Sequence, residues 1–139
     1  MFALVYVSTA TIRWSDTELN QLLEQSRRDN LIAEITGLLL FKDGNFMQVL
    51  EGEKDAVLKL LGKIKKDIRH QGLMVLFQEE TSHREFKEWS MGFKKIEPGA
   101  SLALPGFSDV LDLPLTSEQF RSNPTRLLRF LIAFKKSVQ

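Results

Sequence analysis

Apolar positions along this chain recur at two spacings, and each change of spacing marks an element. Phe2 to Ser8 is a short β-rich run that reads as a buried strand. Ser15 with Glu18 three residues on is a capping-box pattern, and Leu19, Leu22, Leu23 and Ser26 follow at helical spacing. These predict a helix over Asp16–Asp29. Two apolar runs, Thr36–Phe41 and Asn45–Glu51, flank Asp43-Gly44, a dipeptide suited to the positive φ of a tight hairpin. A second amphipathic helix is predicted over Lys54–Asp67, with Val57, Leu60, Leu61 and Ile64 inward and Lys59, Lys63 and Lys66 outward. Leu73–Gln78 and Ser90–Ile96 read as two further strands. The order βαββαββ predicts an α+β, ferredoxin-like sandwich with both helices on one sheet face.

After Pro98 the pattern loosens into a Pro- and Gly-punctuated segment, and Asn123-Pro124 then supplies an N-cap and N1 for a last helix. Its stripe of Leu127, Leu128, Leu131 and Phe134 is expected to dock on the sheet face the first two helices leave bare. The expected organisation is a sandwich over residues 1–97 and a C-terminal extension over 98–139.

Composition narrows the classes. At 139 residues and 43% hydrophobic, the chain can bury one core. Lys+Arg 19 against Asp+Glu 18 supplies no strong field for nucleic acid or anionic lipid, so neither is an expected partner. With no cysteine, disulfides and thiol chemistry are excluded. No apolar run reaches the roughly 18–20 residues of a membrane span, and Met1–Val7 lacks a basic lead-in, so a cytoplasmic protein is expected.

The candidate chemistry sits on the strands and the first helix. Gln48 occupies a position where a core strand would carry an apolar side chain, and a buried amide without partners costs roughly 1–3 kcal/mol. Tyr6, the only tyrosine, shares a strand face with Leu4 and Ser8, as Gln48 does with Phe46 and Leu50. If strands one and three are neighbours, Tyr6 and Gln48 lie side by side beneath the helices. They then either satisfy each other as a core pair or address a ligand. Ser26 and Asn30, four apart, share the apolar stripe of the first helix, though Asn30 also suits a plain helix end. A cleft with one amide on each side, a phenol and apolar walls suits a flat heterocycle with alternating donors and acceptors. Asp67-Ile68-Arg69-His70 is expected to close the second helix, with its basic groups either on the helix dipole or on a phosphate and a ring edge. Trp89 and Met91 share one face of the last strand, as core filler or as a movable gate. Phosphate loops, metal-ligand spacings and nucleophile elbows are missing from the sequence.

In this order and spacing, Leu4-Val5-Tyr6-Val7-Ser8, Ser26-Arg27-Arg28-Asp29-Asn30, Ile35-Thr36-Gly37-Leu38-Leu39, Phe46-Met47-Gln48-Val49-Leu50-Glu51-Gly52, Asp67-Ile68-Arg69-His70 and Trp89-Ser90-Met91 resemble the BLUF domain, the flavin-binding blue-light sensor module. The resemblance spans about two thirds of the chain. It implies a non-enzymatic photoreceptor with a flavin between the two helices: FAD, or FMN or riboflavin in its place. It implies that Tyr6 is the photochemical electron and proton donor and Gln48 the switching amide. Asn30 would bond the ring, Ser8 and Ser26 would lie near it, and Phe46, Leu50 and Ile64 would wall it. Asp67, Arg69 and His70 would line the ribityl–phosphate end, and Trp89 and Met91 would hold the gate positions. Asp29 stands where some members carry Asn or His, so no flavin contact is implied there. The signal would pass to a separate downstream protein or through self-association. Two rival readings are a flavin-free interaction module and an acylphosphatase-like hydrolase. For the latter Arg13 is the one candidate anion ligand, and it lacks a Gly-rich surround.

Overall fold

The computed structural model describes residues 1–42, 44–86 and 91–96. Its elements run β1 (Phe2–Ala10), α1 (Asp16–Ala33), β2 (Thr36–Lys42), β3 (Asn45–Gly52), α2 (Lys54–Lys65), β4 (His70–Glu80) and β5 (Gly92–Ile96). The fold is a ferredoxin-like α+β sandwich. The sheet order is β4-β1-β3-β2-β5, antiparallel throughout except that β5 runs parallel to β2.

Local chemistry sets the boundaries. Ser15 caps α1 reciprocally: its hydroxyl accepts from the Glu18 N–H at 3.1 Å, and the Glu18 carboxylate accepts from the Ser15 N–H at 3.3 Å. The helix continues past the expected end at Asp29 to Ala33, and Glu34 closes it in the left-handed region at φ 56°. Asn30 therefore lies inside the helix and is buried. Leu31 and Ile32, which prolong α1 without adding to its inner face, are 72% and 84% exposed.

α2 stops at Lys65, before the expected Asp67. Its last turn tightens: the Lys66 and Asp67 N–H groups bond Lys63 O at 3.2 Å and Ile64 O at 3.1 Å, three residues back. Asp67–Arg69 consequently forms a turn and does not close the helix, and His70 opens β4, which starts three residues earlier than the pattern suggested. Thr11 pins this turn, its N–H to Arg69 O at 2.9 Å and its hydroxyl to Ile68 O at 2.6 Å.

The helices cover one sheet face. Leu4, Tyr6, Leu39, Phe46 and Leu50 pack there with Leu19 and Leu23 of α1 and Val57 and Leu61 of α2. On the opposite face Val5, Val7, Leu38, Leu40, Met47 and Val49 are also buried. The helix expected to cover that face lies outside the described residues. Gly37 lets β2 close on β3: a Cβ there would sit 1.9 Å from the Val49 carbonyl oxygen. Gly44, at φ 78°, supplies positive φ in the β2–β3 turn.

Candidate functional site

Period-2 alternation puts Tyr6 and Gln48 on the helix-facing side of β1 and β3, and the register sets them directly opposite each other. On the far side of β3, Leu39 of β2 faces Gln48. Both polar residues are buried, Tyr6 at 4% and Gln48 at 6% exposure. The Tyr6 hydroxyl donates to Gln48 Oε1, and Gln48 Nε2 donates to Met91 Sδ at 3.3 Å. Burial, and secondarily the negative charge of Asp67, push the Tyr6 phenol above its ordinary pKa. The phenol is therefore a neutral O–H donor across the physiological range. A neutral donor here selects the amide oxygen, which turns the Gln48 NH2 toward Met91.

Tyr6 and Gln48 line a cleft with a cavity volume of about 110 Å³. Tyr6, Ser8, Leu39, Phe46 and Gln48 line it from the sheet. Leu22, Ser26, Asp29 and Asn30 line it from α1, and Leu60 and Ile64 from α2. Trp14, Asp67 and His70 also line it.

Of the candidate residues, Tyr6, Ser8, Ser26, Asn30, Phe46, Gln48, Ile64, Asp67 and His70 thus converge on one cleft. Leu50, Arg69 and Met91 do not line it; Met91 is buried and meets the cleft only through Gln48. Leu50 is fully buried in the core beneath the helices. Arg69 instead grips Asp67, with Nη2 2.6 Å from Oδ2, and places its guanidinium 5.2 Å from the centre of the Trp14 ring. That hydrogen-bonded pairing holds the Asp67 carboxyl down at about 2. Trp89 lies outside the described residues. Arg13, the anion ligand of the hydrolase reading, is exposed and does not line the cleft.

Trp14, Leu22, Asp29, Leu39 and Leu60 line the cleft without having been singled out as contacts. Leu39 was recoverable, because a two-residue Asp43-Gly44 turn dictates its pairing with Gln48. Trp14 sits between β1 and α1, where no periodicity marks an inward residue.

Three buried polar atoms lack a partner among the described residues: Ser8 Oγ, Trp14 Nε1 and His70 Nδ1. All three belong to residues lining this one cleft. His70 Nε2 lies 2.6 Å from the Ile64 carbonyl, an acceptor only, so Nε2 carries the hydrogen and Nδ1 of the neutral ring is an acceptor. The cleft therefore offers an indole donor, an imidazole acceptor and a hydroxyl that can do either. Orphaned groups of this kind cost about 1–3 kcal/mol each unless something polar meets them. Apolar side chains from both helices and the sheet, with polar groups at the edges, fit a flat heterocycle carrying a polyol tail, as a flavin does.

A second cluster of polar contacts lies outside the cleft lining. Glu51, 2% exposed, accepts from the Glu85 N–H at 2.8 Å and the Phe86 N–H at 2.7 Å. Burial raises its carboxyl pKa against the pull of those two donors. Arg84 donates to Thr36 Oγ1, the Glu51 carbonyl and the carbonyl of Glu34, the residue that ends α1. This clamp was not foreseen, because it joins residues more than thirty apart through backbone groups that leave no trace in side-chain pattern.

Among the described residues no group of three or more His, Asp or Glu could hold a metal ion, and no helix is long and apolar enough to cross a membrane.

The family model described as BLUF, sensors of blue-light using FAD, matches residues 1–92. A photoactivated adenylate cyclase subunit beta of Euglena longa is 33% identical over 135 residues, covering 94% of this chain. A bacterial light-regulated adenylyl cyclase superimposes with a TM-score of 0.73 at 30% identity over 93% of this chain. The chain spans only 15% of the Euglena protein and 36% of that bacterial one. BlrB, a BLUF protein in its dark state, superimposes with a TM-score of 0.73 at 27% identity, covering 91% of this chain and 93% of BlrB.

Proposed function

Since this chain belongs to the BLUF family, whose members sense blue light with a flavin, we propose that it is a blue-light photoreceptor in which Tyr6 and Gln48 form the switch. The observation that carries this reading is the buried Tyr6–Gln48–Met91 chain of hydrogen bonds, whose first two members line a cleft that also holds three orphaned polar atoms. A bound flavin supplies light absorption and an oxidising excited state; the protein orients it. FAD is the expected form, with FMN or riboflavin as the forms to test against it.

Asn30 and Ser26 of α1 would supply polar contacts to such a ring, and Leu22, Leu60, Ile64, Leu39 and Phe46 would hold it by apolar contact and exclude water. Ser8, Trp14 and His70 would offer their orphaned groups to polar atoms of the cofactor, and Asp67 lines the same cleft. Tyr6 is the oxidisable side chain. When it gives up an electron its phenolic proton becomes strongly acidic and moves to Gln48 Oε1 along the bond already formed. Gln48 then rotates or tautomerises, the electron, which a bound flavin would have taken up, returns to Tyr6 together with the proton, and the amide is left with a different donor pattern facing the cleft. The released NH2 no longer holds Met91, and the altered Met91 and β5 carry the change out of the site. The two conformers differ by which partner Gln48 donates to, so the signal is a population shift between them.

The chain is read as a sensor without catalysis of its own. Its output passes to a separate signalling protein or through self-association, with residues 98–139 as the transmitting extension. Tyr6→Phe and Gln48→Leu test the switch. Both variants should purify with flavin, and neither should show a light-induced red shift. A Tyr6→Phe protein that photocycles like the wild type overturns the assignment.

A further inference from the structure

Met91 is held at two atoms by two different elements. Its sulfur accepts from Gln48 Nε2 at 3.3 Å, and its backbone carbonyl accepts from Arg27 Nε of α1 at 2.9 Å. We propose that Arg27 is a positioning residue: by tethering the Met91 carbonyl to α1 it places the sulfur at the Gln48 amide and sets how long the light-switched state survives. This rests on the photoreceptor reading above.

The physical case has three parts. A thioether is a weak acceptor on an unbranched, three-torsion side chain, so the amide–sulfur contact cannot by itself fix where Met91 sits. The backbone must do so, and Arg27 supplies a charge-assisted bond to it, stronger than a neutral one. Arg27 also belongs to the helix that lines the cleft through Leu22, Ser26 and Asn30. A bond from that helix to the residue preceding β5 couples the cleft wall to the strand, and β5 pairs with β2 from Leu38↔Gly92 onward. Arg27 is otherwise exposed on α1, so its loss leaves the core intact.

If Met91 leaves Gln48 after illumination, the tether favours the dark arrangement and speeds the return to it. Arg27→Ala should therefore keep bound flavin and the full red shift but lengthen dark recovery roughly tenfold, the scale of one lost hydrogen bond to a charged group. Arg27→Lys, which keeps a cationic donor, should recover most of the wild-type rate. In a Met91→Leu background, where size is kept and the sulfur acceptor is gone, Arg27→Ala should change the lifetime by less than about twofold. A second readout needs no light: with 13C-methyl methionine, the Met91 methyl resonance of the dark protein should shift or broaden in Arg27→Ala and return in Arg27→Lys. An unchanged lifetime in Arg27→Ala, or the same lengthening in both backgrounds, overturns the proposal. Absence of any red shift in the wild type would instead sink the photoreceptor reading, and the methyl resonance alone would then decide whether Arg27 places Met91.

Discussion

Tyr6 and Gln48 each have a structural cost attached to their chemistry. Removing the Tyr6 hydroxyl leaves Gln48 Oε1 buried without its donor. Tyr6→Phe should therefore lower the stability of the flavin-free protein by about 1–3 kcal/mol, measured by urea unfolding, as well as abolish the red shift. Trp14 offers a different test. Trp14→Phe keeps an aromatic ring packed edge-on against Phe46 but deletes the orphaned indole N–H. Flavin affinity should fall roughly tenfold, by titration of the apoprotein, while unfolding stability without flavin holds or rises because an unsatisfied donor has gone. Asp67 gives a pH signature. Arg69 lowers its carboxyl from 3.8 to about 2, so its contribution is present above about pH 4 and is lost as pH falls toward 2. Thermal melts of wild type and Asp67→Asn should differ at pH 5 and converge on acidification. The effect is small, because both side chains remain partly exposed to solvent.

At the scale of elements, the readable parts were those with a period. Alternation on β1 and β3, with the crossover that a βαββ order imposes, was enough to set Tyr6 beside Gln48. Apolar stripes located both helices, and the Ser15–Glu18 pair located the start of α1. What escaped was aperiodic. Trp14 comes from a connection, the Asp67–Arg69 turn follows a tightened helix end, and the Glu51–Arg84 clamp uses backbone carbonyls and N–H groups as partners. That clamp ties the segment after β4 to β2, β3 and the end of α1. Glu51→Ala should remove the carboxylate that accepts from the Glu85 and Phe86 N–H groups and destabilise by about 1–3 kcal/mol, readable as a lower midpoint in denaturant. Hydrogen exchange at those two amides should rise more than at β1.

At the scale of the molecule, the sheet fixes the switch in place, while the residues that could report its state come from α1 and from the approach to β5. The protein itself satisfies the Gln48 amide through Tyr6 and Met91, which the sequence had left open between protein and ligand. Unmet polarity lies instead at Ser8, Trp14 and His70. Such a site can hold its dark arrangement unaided and still reward a ligand for binding, which is what a resettable sensor requires. If residues 98–139 transmit the signal, a chain ending at residue 97 should keep the flavin and its red shift and lose any light-dependent association, followed by light scattering in darkness and under blue light.

The central claim is that a light-absorbing tricycle in this cleft is answered by a phenol and an amide. Its most direct measurement is the light-minus-dark absorption spectrum of the purified wild-type protein. The account predicts a yellow protein whose blue-region bands move reversibly to longer wavelength under blue light and relax fully in darkness, with the flavin oxidised before and after. A colourless protein, or a yellow one that bleaches without a red shift, would contradict it.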